Sequence, residues 1–377
     1  MYDLIIIGAG AGGLLTAALA SGEKINTLVL ERNNQPCKKV YATGNGHCNY
    51  LNVKAEGFRD IDRELESIGI VGVCDEDGRY YPRSREASSV ASALIDAAKR
   101  NGAKIVCDCH VSDVVKRGES FTVVSKDGRK FEAKNLVIAS GGKAGIQFGC
   151  YGEGYKWAQY MGHSLVKPVP ALVPVECEED ISPLHGVRVR GRVSLFLNGE
   201  KLCEDSGEIQ FTKDSISGIC VMNLSRNLRL GEGKKYELSI DLFPELTEGE
   251  LLDLFLHQKE ICGCGMAGLL PEKMHSYLHG RKGSDRHGPS VMTGLAKDLR
   301  FTLKGTKGWA DAQVTSGGID LNEIDGSTME SKLVKGLYFV GEILDYDGPC
   351  GGFNLANAWR TAILAAKSIK EINGLDR

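Results

Sequence analysis

Tyr2-Asp3-Leu4-Ile5-Ile6-Ile7-Gly8-Ala9-Gly10-Ala11-Gly12-Gly13 opens the chain, and the pattern it begins is completed by Thr27-Leu28-Val29-Leu30-Glu31. The apolar run 4–7 has the length and composition of a buried parallel strand. Gly8-x-Gly10-x-x-Gly13 then leads into a helix of small residues over 14–20. Each glycine has a distinct physical task. Gly8 permits the tight turn, Gly10 lets a pyrophosphate reach the backbone, and Gly13 lets the helix lie close on the sheet. The helix start offers unpaired N–H groups and the positive end of its dipole to the phosphates. Glu31, eighteen residues beyond Gly13, stands where an acid accepts a hydrogen bond from a free ribose 2′-hydroxyl. Strand, helix, second strand and acid at these spacings predict a dinucleotide-binding unit, and Glu31 argues against a 2′-phosphate in it.

The stretch 4–22 carries no charge, and Ala18-Leu19-Ala20 mimics a signal-peptidase site. A secretory signal begins with basic residues, whereas the only charge before Leu4 is Asp3. Four glycines between 8 and 13 also disfavour a membrane span. Neither export nor a membrane partner is expected, and the cytoplasm is the expected location.

At 377 residues the chain exceeds one ordinary core, so two or three domains are expected. A net charge of −3 without long runs of either sign points to no nucleic-acid partner. The twelve cysteines are scattered, without a CxxC pair, and read as reduced thiols.

After Glu31, the stretch 37–49 is rich in glycine and polar residues and reads as a loop able to wall a ligand. An amphipathic helix is predicted over 88–100, closed by Asn101-Gly102. Strands are expected at 104–106 and 111–115, with a hairpin of 121–125 and 129–132 around Asp127-Gly128. A further buried strand, 136–139, ends in Ser140-Gly141-Gly142, where a cofactor again has room to approach. From about 167 prolines punctuate a crossing. Period-two alternation over 187–197, the turn Asn198-Gly199 and a run near 201–202 predict an antiparallel β-domain. Thr247-x-x-Glu250 fits a capping box, and helices are expected to about 299. The end of the chain returns to the first texture, with strand 336–340, turn Gly341-Glu342, and a helix from Gly351-Gly352-Phe353-Asn354 to 372.

The arrangement resembles the flavoproteins built on the glutathione-reductase type of dinucleotide fold. More narrowly, it resembles the bacterial family that includes aminoacetone oxidase and the bile-acid 3-oxo-Δ4 steroid reductases, over essentially the whole chain. The motifs that carry the resemblance are Thr43-Gly44-Asn45-Gly46-His47-Cys48-Asn49, Gly78-Arg79-Tyr80-Tyr81-Pro82, Gly152-Glu153-Gly154-Tyr155 with Gly162-His163, and Phe211-Thr212 with Ser217-Gly218. Towards the C-terminus stand Thr328-Met329-Glu330-Ser331-Lys332, Gly341-Glu342-x-x-Asp345 and Gly351-Gly352-Phe353-Asn354-Leu355.

The resemblance implies an α/β fold: a discontinuous glutathione-reductase-type FAD-binding Rossmann domain (1–166 and 306–377), an inserted antiparallel β-domain (167–246) and a small helical cap domain (247–305). It implies non-covalent FAD and an FAD-dependent oxidoreductase acting on a small or steroid-like molecule. The direction is read as an NAD(P)H-driven reductase of an activated C=C. A flavin amine oxidase is the alternative, with an RNA-modifying or redox-sensing flavoprotein beyond it. No second glycine fingerprint exists for a nicotinamide, so NAD(P)H is expected to visit the flavin transiently.

The expected cofactor residues are Gly8, Gly10, Gly13, Glu31, Arg32, Lys39, Thr43, Gly44, Asn45, Gly46, Cys48, Asn49, Val111, Ser140, Gly141, Gly142, Gly341, Glu342, Asp345, Gly351, Gly352, Phe353 and Asn354. By the resemblance Glu342 meets the ribityl chain, and the helix start at Gly352 faces the flavin N1–C2=O edge, where reduction places negative charge. Val111 is the expected backbone contact to adenine. The catalytic candidates are His47, Asn49 and Tyr81. Three departures from the family stand out: His47 replaces its loop arginine, Phe353 replaces a tyrosine, and the helical region is short.

Three other patterns read as ordinary structure. Cys37 and Cys48 lie near the position of a disulfide-reductase redox pair but lack its tight spacing. Cys262-x-Cys264 with His275-x-x-x-His279 imitates a zinc site, with too few residues between the cysteines, and no metal is expected. Arg281, Lys282 and Arg286 read as a solvated loop.

Overall fold

The computed structural model describes residues 1–263, 265–280 and 288–374. Cys264 and the cluster Arg281, Lys282 and Arg286 lie outside the described residues. The chain divides into two compact units, 1–169 with 314–377, and 170–313.

The first unit is built on a seven-stranded sheet. Tyr2–Ile7 runs parallel between Thr27–Leu30 and Lys130–Ile138, Lys104–Val106 extends one side, and Leu337–Phe339 pairs with 136–138. Leu4, Ile5, Ile6, Leu136, Val137 and Ile138 are fully buried, as strands covered on both faces must be. The helices Ala11–Ala20, Ala87–Arg100 and Phe353–Ile372 contribute to this core. Val111–Arg117 and Ser120–Ser125 form an antiparallel flank. A small sheet of Leu51–Asn52, Arg79–Pro82 and Gly72–Cys74 completes the part that matters for the site.

Two local expectations for this unit are corrected. The stretch 37–49 is not all loop: Lys38–Ala42 is a single helical turn, closed by Thr43 Oγ1 donating to the Val40 carbonyl at 2.6 Å. One turn is too short for apolar periodicity to reveal it. Residues 129–132 and 136–139 are not separate strands, because Lys130–Ile138 is continuous. The polar Lys134 and Asn135 between them are absorbed by Asp3, whose carboxylate takes Lys134 Nζ at 2.9 Å and whose carbonyl takes Asn135 Nδ2 at 3.2 Å.

The second unit is a closed antiparallel barrel of Val175–Cys177, Ile216–Ser217, Glu200–Phe211, Arg188–Leu197, Tyr236–Asp241 and Leu299–Thr306. Alternation sends Val193, Leu195, Ile209, Phe211, Leu238 and Ile240 inward. The helices Glu248–Cys262, Glu272–Gly280 and Pro289–Lys297 share this core through Leu251, Phe255, Met274, Leu278, Met292 and Ala296. The Thr247 capping box forms, with Glu250 N–H donating to Thr247 Oγ1 and Thr247 N–H to Glu250 Oε2. Residues 299–305, expected among the helices, belong to a barrel strand whose Leu299, Phe301 and Leu303 alternate inward. No helix among the described residues is long and apolar enough to cross a membrane.

Candidate functional site

Every expected cofactor residue falls in the unit of 1–169 and 314–377. At the first glycine turn the three glycines divide their tasks as the spacing predicts. Gly8 has φ +107°, and a Cβ there would sit 2.4 Å from the Ala139 carbonyl oxygen. A Cβ on Gly13 would lie 2.0 Å from the Gly8 carbonyl oxygen, so helix and strand touch backbone to backbone. A Cβ on Gly10 would meet nothing within 4 Å, which leaves open ground at the helix start. Glu31, buried at the strand end, accepts from Ala9 N–H at 2.9 Å through Oε2 and from Asn33 N–H and Nδ2 at 2.8 Å through Oε1. The acid therefore pins the glycine turn, and Oε2, which accepts only one of these bonds, retains lone-pair capacity for a ribose hydroxyl.

Arg32 ion-pairs with Glu153 and lies 4.4 Å over the Tyr151 ring. His110 Nε2 approaches the same Glu153 at 3.4 Å. Burial is the main influence that lowers the His110 pKa, with nearby Arg32 next. Val111 follows His110 at the start of its strand, buried and in register with Ser125. Arg32 and the pair His110-Val111, far from it in sequence, thus border one corner.

The second glycine turn is held from a distance. Gly351 and Gly352 have φ of +117° and +95°, and a Cβ on Gly352 would lie 2.5 Å from the Leu51 carbonyl oxygen. Asn52 Nδ2 donates to the Gly351 carbonyl at 2.8 Å, and Trp359 Nε1 donates to the Tyr50 carbonyl at 2.8 Å. The Asn354 side chain closes the turn on itself: Oδ1 accepts from Gly348 N–H at 2.8 Å and Nδ2 donates to the Gly348 carbonyl at 2.9 Å. What this corner offers a ligand is the open first turn of a 20-residue helix, with half-buried Phe353 beside it.

The turn 43–49 lies close by. Gly44, Asn45, Gly46 and Cys48 all have positive φ, and 44–47 are exposed. Asn49, with its amide oriented towards acceptors, donates to the Leu51 and Tyr80 carbonyls at 3.1 and 3.2 Å, which gives that candidate a structural task. His47 Nδ1 meets the Arg85 carbonyl at 2.8 Å, and the Arg85 guanidinium lies 4.6 Å over the Tyr81 ring. A Cβ on Gly44 would reach to 4.0 Å of Tyr81, so His47, Tyr81 and the turn form one group.

Between the two glycine turns runs a polar chain that the sequence spacing did not show. Lys39 Nζ donates to Glu342 Oε2 at 2.6 Å and to the Ala144 carbonyl at 3.0 Å. Glu342 Oε1 accepts from Thr315 N–H at 2.9 Å, and Thr315 Oγ1 accepts from the N–H groups of Lys143 and Ala144 at 2.8 and 3.0 Å. Burial is the largest influence and works against the Lys39 charge, but Glu342 and Cys150 together outweigh it, and the lysine pKa lies above its usual value. The space beside Gly142 is taken by Thr315, 2.3 Å from where a Cβ would stand, so that glycine serves packing as well as approach. Asp345 N–H donates to the Ile319 carbonyl at 3.0 Å, and Gly341 N–H donates to Thr361 Oγ1 at 3.0 Å. Thr315 and Asn52 escaped sequence reasoning because no local pattern marks a residue whose only task is to meet a segment hundreds of positions away.

The nearby cysteines are protonated thiols at neutral pH. Burial pushes Cys37 up to about 12 and Cys48 to about 11, and Cys150 to about 11. Such thiols are poor nucleophiles.

These residues fit FAD. The open ground at Gly10 suits a pyrophosphate, the Gly352 helix start suits the electron-rich edge of a flavin, and Ser140 Oγ is buried without a hydrogen-bond partner. A family model described as HI0933-like protein Rossmann domain matches residues 56–368, and one described as NAD(P)-binding Rossmann-like domain matches 6–64. The chain is 32% identical over 408 residues to the 3-dehydro-bile acid delta(4,6)-reductase of Clostridium scindens, covering 98% of this chain and 100% of that protein. It is 27% identical over 409 residues to the ribosomal RNA dihydrouridine synthase of Escherichia coli, covering 97% and 99%. Among solved structures, 3-ketosteroid-delta4-(5alpha)-dehydrogenase from Rhodococcus jostii RHA1 superposes with a TM-score of 0.54 at 14% identity, covering 98% of this chain and 96% of that one. A flavocytochrome c3 fumarate reductase gives 0.55 at 16%, covering 100% and 79%. At those identities the structural likeness is one of fold. The family match and the full-length relatives, together with a site that fits the cofactor, place the chain in the HI0933-like family of FAD-dependent Rossmann oxidoreductases.

Proposed function

We propose that the chain is an NAD(P)H-driven reductase of an activated C=C in a steroid-like or other small organic molecule. The observation that carries this reading is the end-to-end similarity to a protein named as a bile-acid delta(4,6)-reductase. The name of the E. coli relative points the same way chemically, since dihydrouridine has two more hydrogens than uridine. When bound, the flavin supplies hydride transfer between a nicotinamide and the substrate double bond.

The protein's part in this reading is binding, charge placement and proton supply. Glu31 and the Gly10 turn take the ribose and pyrophosphate. Glu342, held by Lys39 and Thr315, takes the ribityl hydroxyls. The helix start at Gly352 faces the edge that gains negative charge. Reduction of a C=C also requires a proton at the second carbon, and Tyr81 Oη supplies it, with the Arg85 guanidinium stacked over its ring to fix the ring's position. His47, tied through Nδ1 to Arg85, holds that group in place.

The test is anaerobic mixing of the purified holoprotein with NADH or NADPH while the flavin absorbance is followed, then addition of an enone steroid. Rapid bleaching followed by re-oxidation by the enone supports the reading. No bleaching with either nicotinamide, together with bleaching by an amine, replaces it with the amine oxidase. The name of the E. coli relative favours a second reading, in which the C=C belongs to a uridine in RNA. Re-oxidation of the reduced protein by ribosomal RNA but not by the steroid selects that one.

A further inference from the structure

Arg79 begins the strand Arg79–Pro82 and stands in register with Asn52, the residue that clamps the Gly351 carbonyl. Its own backbone is fixed, with N–H donating to Asp75 Oδ1 at 2.8 Å. The guanidinium is carried to the second glycine turn: a Cβ built on Gly351 would come within 3.8 Å of Arg79 Nε. Its nearest carboxylate is Asp77, with Oδ2 3.0 Å from Nη2. The arginine side chain is 30% exposed and the Asp77 side chain 66%, so water screens the anion more than the cation.

A full positive charge therefore sits within one residue of the helix start that faces the flavin in the reading above. A helix N-terminus contributes only about half an elementary charge. The loop position where the family carries an arginine is His47 here, and its Nδ1 is committed to a backbone carbonyl. Arg79 is thus a cation on the small sheet whose backbone is fixed by Asp75 and whose guanidinium reaches the second glycine turn, paired with the more exposed Asp77.

We propose that Arg79 is the fixed positive charge for the N1–C2=O edge of the bound flavin and that it sets the reduction potential of the cofactor. Negative charge that appears on that edge when two electrons enter is stabilised by a preorganised, partly buried guanidinium more strongly than by water. The inference rests on the flavin ring lying at the Gly352 helix start.

Sulfite tests it without turnover. Its sulfur lone pair forms one S–N bond at flavin N5, and the displaced electron pair becomes negative charge on N1–C2=O, with no other reactant consumed. Titration of the holoprotein with sulfite is read in the flavin absorbance, alongside the two-electron midpoint potential. Arg79→Gln weakens sulfite binding tenfold or more and lowers the potential, a tenfold loss in the reduction equilibrium corresponding to about 30 mV. Arg79→Lys recovers part of both. Asp77→Asn strengthens sulfite binding, and it serves as the test if Arg79→Gln fails to fold. Asn49→Ser, which disturbs the turn beside Gly352, reports ring position through the flavin circular dichroism. A changed Asn49→Ser spectrum with sulfite affinity unmoved by the Arg79 and Asp77 variants overturns the role of Arg79 alone. An unchanged spectrum with unmoved affinity overturns the placement of the ring, and the proposal with it.

Discussion

The two glycine turns of the FAD-binding unit look alike in sequence and are built differently. At 8–13 the contacts that pin the turn are local, although Gly8 also lies against the Ala139 carbonyl and Gly12 against Val340. Gly13 packs on Gly8, and the acid that pins the turn, Glu31, lies at the end of the next strand. At 351–354 the contacts come from the other end of the chain. Leu51 and Asn52 press on Gly351 and Gly352, Tyr50 takes the Trp359 indole, and Lys39 reaches Glu342. The hydrogen bond and glycine-on-glycine contact that shape the first turn come from within thirty residues, whereas the second is clamped only once the sheet has brought residues some three hundred positions apart together. The first is therefore a module, and the second is a joint that reports on the whole unit.

The largest effect that separates them is expected at Gly13. Gly13→Ala places a methyl 2.0 Å from backbone that cannot yield, at a cost of about 3 kcal/mol or more, with loss of bound flavin. Gly10→Ala, at an ordinary φ with nothing near its Cβ, leaves thermal stability within about 0.5 kcal/mol and weakens FAD binding alone. Calorimetry and flavin retention on a desalting column distinguish the two. Equal destabilisation by both would erase the division of tasks within the first turn.

Lys39→Met probes the joint. It leaves Glu342 without its cation in a site where the two side chains are 27% and 19% exposed, and about 1–3 kcal/mol is expected to be lost. Adding Glu342→Gln to that variant restores most of the loss, as a double-mutant cycle in urea shows. Additive effects would mean that the pair does not act as a unit. Asn52→Ala removes one clamp and strands the Gly351 carbonyl, for about 1–2 kcal/mol, and broadens the flavin spectrum more than it lowers Tm.

The smallest effect is a pH dependence in another long-range contact. His163 is buried, with Nδ1 3.2 Å from Glu323 Oε2 and Nε2 2.8 Å from Ser331 Oγ. Burial lowers its pKa, the nearby Glu323 only partly countering this. A depressed histidine contributes stability that is complete above the unfolded-state value near 6.5 and is lost as pH falls from there through the lower folded-state value. Tm is therefore expected to fall between pH 8 and pH 5.5, and His163→Gln to flatten that slope. A slope unchanged in the variant would assign the acid sensitivity elsewhere.

Much of this was legible before any fold was known. Period-two and apolar runs announced the strands, the spacing from Gly8 to Glu31 announced the dinucleotide unit, and the Thr247 capping box announced its helix, because these signals depend on neighbours in the chain. The single turn Lys38–Ala42 was too short to show periodicity. The strand Lys130–Ile138 was split by polar residues whose partner, Asp3, lies at the far end of the sequence. The structural tasks of two candidate site residues were also hidden, because residue type alone does not say what an amide bonds: the Asn354 side chain closes its own turn on Gly348, and the Asn49 amide donates to the Leu51 and Tyr80 carbonyls.

The sequence alone announced a dinucleotide-binding α/β unit and an antiparallel β-domain, since glycines, caps and alternation act over a few residues and leave a periodic trace. Tertiary structure decided which charges meet: Lys39 with Glu342, Arg32 with Glu153, and Arg79 with the start of the last helix. Coulombic and hydrogen-bond partners are chosen by distance in space, and no spacing along the chain encodes that distance until the sheet has closed.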